Sequence, residues 1–478
     1  MKRGQFSLKD LPAWSVLNNV TFVDVKASDV HGRGYGLSAG KDLINEEDTS
    51  EDPVLLIVPR DLVLSAEGVQ EYARENKDFR QLLDAAGHQS TRCDILLFLL
   101  FQRVLSSPDY TGDQGAATPW AQYFNLLPEK VPVPTMWTES ELFHLKGTSL
   151  GPAVSAKLSV LTKEFDEVKS KTAALPYWDE LFSIDEAITI HDWVWLDALY
   201  RSRSLGLPRS GESMVPCLDL VNHSSPATAY FEENDEDEVV LLLREGCRVS
   251  SGDEITINYG KDKSPAEMLF SYGFIDKDSV SKSITVILEP MEDDPLGRIK
   301  LHAFGAPPTL KIQEDDDGFP QWDAPFAYLM CLNEEDGLLF QVLQETDGSR
   351  HLRIFWEGVD ITDRSKTIKD LIKGHSLQQI FELRVVTVIF EVLQRQLEVL
   401  NDHEETDEVP GLVRAEILQA SEQLRVLEKD ILEKSLKALD EQRNQLLADE
   451  SVVAYLESME VDQNEAGDND VSNDEDFS

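Results

Sequence analysis

The stretch Met214–Phe274 reads V-P-C-L-D-L-V-N-H-S over 215–224, G-D-E-I-T-I-N-Y-G-K over 252–261 and A-E-M-L-F-S-Y-G-F over 266–274. Val215–Val221 is apolar enough to be buried, and Asp219 in its middle is costly there unless it is paired or hydrogen-bonded. Asn222 and His223 follow at once, and two tyrosines, Tyr259 and Tyr272, close the next two segments. The pieces between them alternate as strands, with a Ser-Gly turn before G-D-E-I-T-I-N-Y. Nothing nearby supplies the further ligands that would make His223 part of a metal site, so none is expected. A polar pair, a buried carboxylate and two tyrosines mark this stretch as the place for chemistry.

Working upstream, I-T-I-H-D-W-V-W-L-D-A-L-Y-R-S-R-S-L (188–205) has Trp193, Leu196 and Tyr200 at helical spacing, with Arg201 and Arg203 in its last turn. Basic residues there complement the helix dipole. Before it, 61–185 is helical in period. Thr91–Leu105 is a compact apolar helix with a cap at Ser90 or Thr91, and the aromatics of W-A-Q-Y-F-N-L-L-P (120–128) read as core anchors rather than chemistry. Near the start, V-T-F-V-D-V (20–25) and V-H-G-R-G-Y-G-L-S-A-G (30–40) are strands around glycines that permit positive φ and close backbone approach. A dinucleotide fingerprint would need its glycines to open a helix. Here a polar loop and the strand P-V-L-L-I-V-P follow instead.

Downstream, the pattern from Ile284 is first mixed and then strongly helical. Leu377–Leu400 carries Phe381, Val385, Val388 and Val392; Leu412–Leu447 carries Val413, Ile417, Ala420, Leu424, Leu427 and Ile431 at alternating four and three. That stripe suits a coiled coil, but it weakens past Ile431 and an upstream helix is at hand, so intramolecular packing and a monomer are expected.

The 478 residues carry a net charge of -45, which excludes direct nucleic-acid binding through phosphates and favours a basic protein partner. Acidic runs at Glu46–Asp52, Glu232–Glu238, Glu314–Asp317 and beyond Glu457 read as solvated loops, the last as a disordered tail. No apolar run is long enough for a membrane span, and M-K-R-G-Q-F-S-L-K-D is no signal peptide. Four scattered cysteines suggest neither disulfides nor zinc, consistent with a cytoplasmic or nuclear setting.

These motifs together resemble the SET-domain methyltransferases of the branch typified by the plant Rubisco large-subunit lysine methyltransferase and fungal ribosomal-protein lysine methyltransferases. The resemblance spans roughly Val20 to Ala448. It implies an α+β fold: a SET-domain β-fold (20–60 and 186–280) with a helical insert (61–185), then an all-α C-terminal substrate-binding domain (281–455) and an acidic tail (456–478). It further implies S-adenosylmethionine as cofactor, held by Arg33, Gly34, Tyr35, Arg203, Asn222, His223, Tyr259 and Phe274. Tyr259 and Tyr272 match the catalytic tyrosines, and Arg203, Asp219, Tyr272 and Phe274 would meet the substrate. The resemblance does not fix the acceptor; with the acidic charge of the chain, the expected one is a lysine amine of a basic non-histone protein such as a ribosomal protein. Related enzymes that methylate histidine in actin do not keep the second tyrosine as Y-G-F, whereas this chain has Tyr272-Gly273-Phe274. A silent SET-like binding module is the other alternative.

Overall fold

A computed structural model of the chain describes residues 6–46, 51–107, 118–184, 187–277, 281–344, 349–402 and 413–469. Parts of the first acidic run (47–50) and the end of the tail (470–478) lie outside the described residues. The chain divides into two compact units, Met1–Phe143 with Leu150–Val280, and His144–Ser149 with Ser281–Ser478.

The first unit holds two four-stranded sheets. One orders Thr21–Phe22, Val54–Val58, Val239–Leu243 and Ala229–Glu233; the other orders Val25–Val30, Gly34–Ala39, Glu254–Ile257 and Asn222–His223. All pairings in these sheets are antiparallel except Glu254–Ile257 with Asn222–His223, which run parallel, Thr256 opposite Asn222 and Ile257 opposite His223. The expected helical insert is present as Ala66–Glu75, Lys77–Ala86, Thr91–Leu105 and Leu150–Thr172 with shorter turns between. Ser90 caps Thr91–Leu105 by accepting from the Cys93 N–H at 3.1 Å, and Ile95–Gln102 is buried on every side. Ile190–Arg203 likewise buries more than the Trp193, Leu196, Tyr200 stripe: Val194, Trp195, Ala198 and Leu199 are buried too, so this helix runs through the core rather than along its edge.

The second unit confirms the α+β class but corrects its all-α reading. Ser283–Ile287, Thr309–Glu314 and Pro320–Asp323 form one antiparallel sheet; Leu338–Gln344, Arg350–Trp356 and Val359–Asp360 form another. Their signal is the period-two burial of Ile284 and Val286 against Leu310 and Ile312. Helices Gln378–Asn401 and Ala415–Leu447 share a core containing Phe381, Val385, Ile389, Leu393, Ile431, Leu432 and Leu439. A last helix, Glu450–Asn469, runs into the stretch expected to be disordered, because a helix satisfies its own backbone without needing a core. Glu314 and Glu233 also depart from the solvated reading. Glu314 pairs with Lys434 at 2.7 Å and Lys282 at 3.3 Å, and Glu233 accepts from the Arg209 N–H at 2.6 Å.

The long helix buries a different seam from the one read in the sequence. Ser421, Glu428 and Ser435 face inward with Ile417, Leu424 and Ile431, while Ala420 and Leu427 are only half-buried. The cause is the short segment His144–Ser149. Glu428 accepts from the Ser149 N–H at 2.9 Å and from its hydroxyl at 2.5 Å, and Arg425 donates to the carbonyls of Lys146 at 2.7 Å and His144 at 3.2 Å. Gly147, at φ +81, lies so close to this helix pair that a Cβ would sit 2.5 Å from the Val399 oxygen.

Burial pushes the Glu428 carboxyl up to about 7 from an ordinary 4.5, against the opposing Ser149 bonds and Arg425. A carboxyl raised on folding contributes stability that is complete below its unfolded value and lost as the pH rises through the folded one, here between about 4.5 and 7. Glu428→Gln keeps the shape and cannot ionise. Relative to it, the wild type should lose on the order of 3 kcal/mol between pH 4.5 and 8. Urea titrations followed by helical circular dichroism measure this, and parallel pH curves for the two proteins would show that Glu428 titrates as an ordinary carboxyl.

Candidate active site

The glycine turn, the Asn-His pair and the two tyrosines converge within the first unit. Gly32 and Gly34 take φ of +73 and +76, and a Cβ at Gly34 would meet nothing within 4 Å, so this backbone is bared to open space. Two residues on, a Cβ at Gly36 would lie 2.7 Å from Val30, 2.9 Å from the Asn222 amide and 3.0 Å from the Glu254 carboxylate. The turn is thus seated directly against the Asn222–His223 strand. Glu254 ties them: it accepts from Arg33 at 2.6 Å and from Asn222 Nδ2 at 2.7 Å, and Asn222 Nδ2 also reaches the Tyr35 carbonyl at 3.4 Å. Arg33 completes the tie by donating to the His223 carbonyl. Its side chain therefore has a role, holding the turn to the strand.

His223 is buried, and both ring nitrogens are engaged. Nδ1 accepts the Tyr259 backbone N–H at 3.0 Å, so the proton of the neutral ring is on Nε2, which donates to Asp276 at 3.0 Å. Ser225 donates to the same carboxylate. The ring leaves no nitrogen for a ligand; it is a spacer that sets Tyr259 against the Asn222 strand. Its neighbours are aromatic, with ring centroids 5.2 Å to Tyr259 and 5.7 Å to Phe274, and Tyr259 lies 4.6 Å from Tyr272. Tyr272 ends the helix Pro265–Tyr272, started by a Ser264–Glu267 capping box and stopped by Gly273 at φ +83. Only glycine fits there, since a Cβ would lie 2.7 Å from Pro132; the reversal returns Phe274 to the cluster.

Tyr259, Tyr272, Arg203 and Asp219 line one cleft of about 200 Å³ with Ser202, Leu205, Val221, Phe231, Asn258 and Lys263. The Tyr259 hydroxyl donates to the Val221 carbonyl at 2.8 Å, leaving its lone pairs as acceptors, and the Tyr272 hydroxyl sits 3.4 Å from the Tyr259 carbonyl. Burial raises both phenols, so they remain protonated at any working pH and cannot serve as bases. The Asp219 side chain is buried. Arg203 donates to its carboxylate at 3.1 Å and its carbonyl at 2.9 Å, and Tyr123 donates to its other oxygen while accepting from the Cys217 N–H at 2.8 Å. Burial still raises the carboxyl, opposed by Arg203 and Tyr123. Arg203 Nε is buried with no partner among the described residues. Arg201 is spent elsewhere, on Asp197, Thr135 and the Phe270 carbonyl.

Sequence reasoning missed Glu254, Asp276 and Tyr123. Tyr123 is the plainest correction, since the insert aromatics were read as anchors without a part in the site. Its only sequence signal was that a buried Asp219 must find partners. Among the described residues, no group of three or more His, Cys, Asp or Glu could hold a metal ion, and no helix is long and apolar enough to cross a membrane.

No family model matches the sequence. Among known proteins, SET domain-containing protein 8 of Schizosaccharomyces pombe is 28% identical over 414 residues, 86% of this chain and 90% of its own length. The Rubisco large-subunit N-methyltransferase of Pisum sativum is 29% identical over 337 residues, 67% of this chain and 62% of that protein. An actin-histidine N-methyltransferase of Danio rerio is 24% identical over 345 residues, 68% of this chain and 53% of that protein. In structure, the SET domain of LSMT bound to methyllysine and AdoHcy gives a TM-score of 0.65 at 21% identity, with 93% of each chain covered. Rubisco LSMT bound to AdoMet gives 0.64 at 21% identity, with 92% of each covered. By its fold, its Asn-His strand beside a glycine turn, and these likenesses along most of its length, the chain is similar to the SET-domain proteins of the Rubisco large-subunit methyltransferase branch.

Proposed function

We propose that this chain is an S-adenosylmethionine-dependent protein-lysine N-methyltransferase whose acceptor is a basic non-histone protein, such as a ribosomal protein. The observation that carries the reading is the cleft in which Tyr259 and Tyr272, both neutral, stand beside the Arg203–Asp219 pair. The residues present suit the cofactor: open glycine backbone at Gly34, the Asn222 amide at the neighbouring strand end, and the buried, unpartnered Nε of Arg203. When bound, S-adenosylmethionine supplies an electrophilic methyl group on a sulfonium.

The chain's own work is alignment, exclusion of water and presentation of a neutral amine. The rings of Tyr259, Tyr272 and Phe274 suit the apolar stem of a lysine. With its proton committed to Val221, the Tyr259 oxygen offers lone pairs to hydrogens of the incoming amine and orients it. Neither tyrosine takes the proton, so the acceptor must lose it to solvent before transfer. Retention of Tyr272 in Y-G-F supports lysine over histidine as acceptor. The net charge of -45 supports a basic protein partner by steering encounter, and the single core shared by the two long helices supports a monomer.

The test is labelled-methyl transfer into fractionated extract from cells lacking the protein, followed by mass spectrometry of the labelled residue. Label on a lysine of a basic protein is the expected result. Label on histidine would move the chain to the other acceptor class, and binding of S-adenosylmethionine without turnover would make it a silent module. With the acceptor in hand, kcat/KM should fall more than kcat as salt rises from about 50 to 300 mM, where the screening length shortens; a flat response would remove electrostatic recruitment. Asn222→Ala should weaken S-adenosylmethionine binding in calorimetry with little change in melting temperature, and unchanged affinity would remove Asn222 from the site. Tyr259→Phe should lower kcat roughly a hundredfold to a thousandfold, about 2.7 to 4 kcal/mol, with cofactor affinity little changed. Normal turnover with a much lower melting temperature would instead make Tyr259 a core residue.

A further inference from the structure

Lys263 lies in the wall of the same cleft as Tyr259, Tyr272, Arg203 and Asp219, and nothing in the reaction so far uses it. It is half-buried, and no carboxylate among the described residues pairs with it within ion-pair distance. Its stem is held down. A Cβ on Gly260 would lie 2.9 Å from Lys263 Cε, 3.1 Å from Cγ and 3.2 Å from Cδ, so the side chain is laid flat over the glycine that follows Tyr259. Gly260 has φ +144, a backbone that side chains rarely adopt, and the missing side chain is what gives the lysine stem its seat.

The charges around the cleft can be counted. Arg203 and Asp219 neutralise each other at 3.1 Å, Arg33, which also acts on Tyr259, is neutralised by Glu254 at 2.6 Å, and Tyr259 and Tyr272 are uncharged. On the loop itself Lys261 and Asp262 are exposed. Two cations against one carboxylate leave the cleft wall with one positive charge in excess, inside a chain whose net charge is -45. An acidic exterior attracts a lysine-rich partner, while a cation in the cleft wall repels the acceptor as long as that acceptor is an ammonium.

We infer that Lys263 is a charge-tuning, positioning residue of the transfer reaction, which disfavours the ammonium form of the acceptor lysine in the cleft and so raises the fraction present as the reactive amine. The inference rests on the lysine-methyltransferase reading. It adds that a resident lysine, and not burial alone, helps prepare the acceptor.

The experiment uses the full chain, S-adenosylmethionine and the acceptor protein identified by label transfer. Wild-type turnover tests the underlying reading, and variants at position 263 test the inference separately. In single-turnover assays across pH, Lys263→Met keeps an unbranched stem and removes the charge, so the rising limb of the rate should move up by about one pH unit. At pH 7.5 the rate should then drop by roughly tenfold. A second readout needs no methyl transfer: with S-adenosylhomocysteine bound, the same variant should hold the acceptor several-fold more tightly near pH 7, because the ammonium is no longer repelled. Tighter binding with slower transfer is a combination that simple damage to the site does not produce. Lys263→Arg, which restores the charge, should bring the limb back. If the Lys263→Met limb superimposes on that of the wild type, or if Lys263→Arg shifts it equally, the charge has no such role and the inference falls.

Discussion

A buried carboxylate organises the first unit. Asp219 stands in an apolar run with its side chain only 2% exposed, and an ion so placed must be neutralised and hydrogen-bonded. Arg203 comes from the end of the helix Ile190–Arg203, and Tyr123 from the short insert helix Pro119–Tyr123. The Tyr123 hydroxyl also accepts the N–H of Cys217, a residue at φ +70 that starts the turn carrying Asp219. Breaking such a network by removing one partner leaves a buried charge uncompensated, at about 3 to 5 kcal/mol. One carboxylate thus brings the insert, the core helix and the Val215–Val221 segment to a common point, and the arginine that answers it becomes part of the cleft wall.

A second tie, through Glu254, joins the open glycine turn to the Asn222–His223 strand end, and His223 passes the alignment on to Tyr259 and Asp276. The His223 ring, itself buried, has both nitrogens engaged, whereas Arg33 makes its bonds to Glu254 and His223 from an exposed position. Tyr259 and Tyr272 then present oxygens without charge, which suits a transfer whose acceptor must itself be neutral.

In the second unit, polarity performs a different task. An unbroken apolar seam on Ala415–Leu447 would be open to several partners and registers. Burying Ser421, Glu428 and Ser435 on that face, with Glu428 held by Ser149, couples one register of the helix to one short segment. The specificity comes with a carboxyl whose burial opposes its charge.

How much was legible in advance follows the length of each contact in the chain. Asn222, His223, Tyr259, Tyr272 and the demand of Asp219 for a partner are carried by local patterns, apolar runs interrupted by polar groups, and these can be read residue by residue. So can the helical period of the insert and the glycine stop in Y-G-F, which sterics alone require. Tyr123 meets Asp219 across 96 residues, Asp276 meets His223 across 53, and Glu254 meets Asn222 across 32. Nothing in the local pattern around these three marks them, because a tyrosine on an apolar face or an acid at a strand start reads the same whether or not it will find such a partner. Likewise, helical spacing defined a stripe from Ile417 to Ile431, but whether Ala420 or Ser421 faces inward depended on what Ser149 brought to Glu428. The sequence by itself determined which residues could do chemistry and where the main helices and the strands of the first unit would form, since propensity and periodicity are properties of neighbours; it left the two sheets of the second unit unread. Only the tertiary structure decided which acid answers which base, and that an unpaired lysine lies beside the tyrosines, because burial and Coulomb energy depend on distance in space.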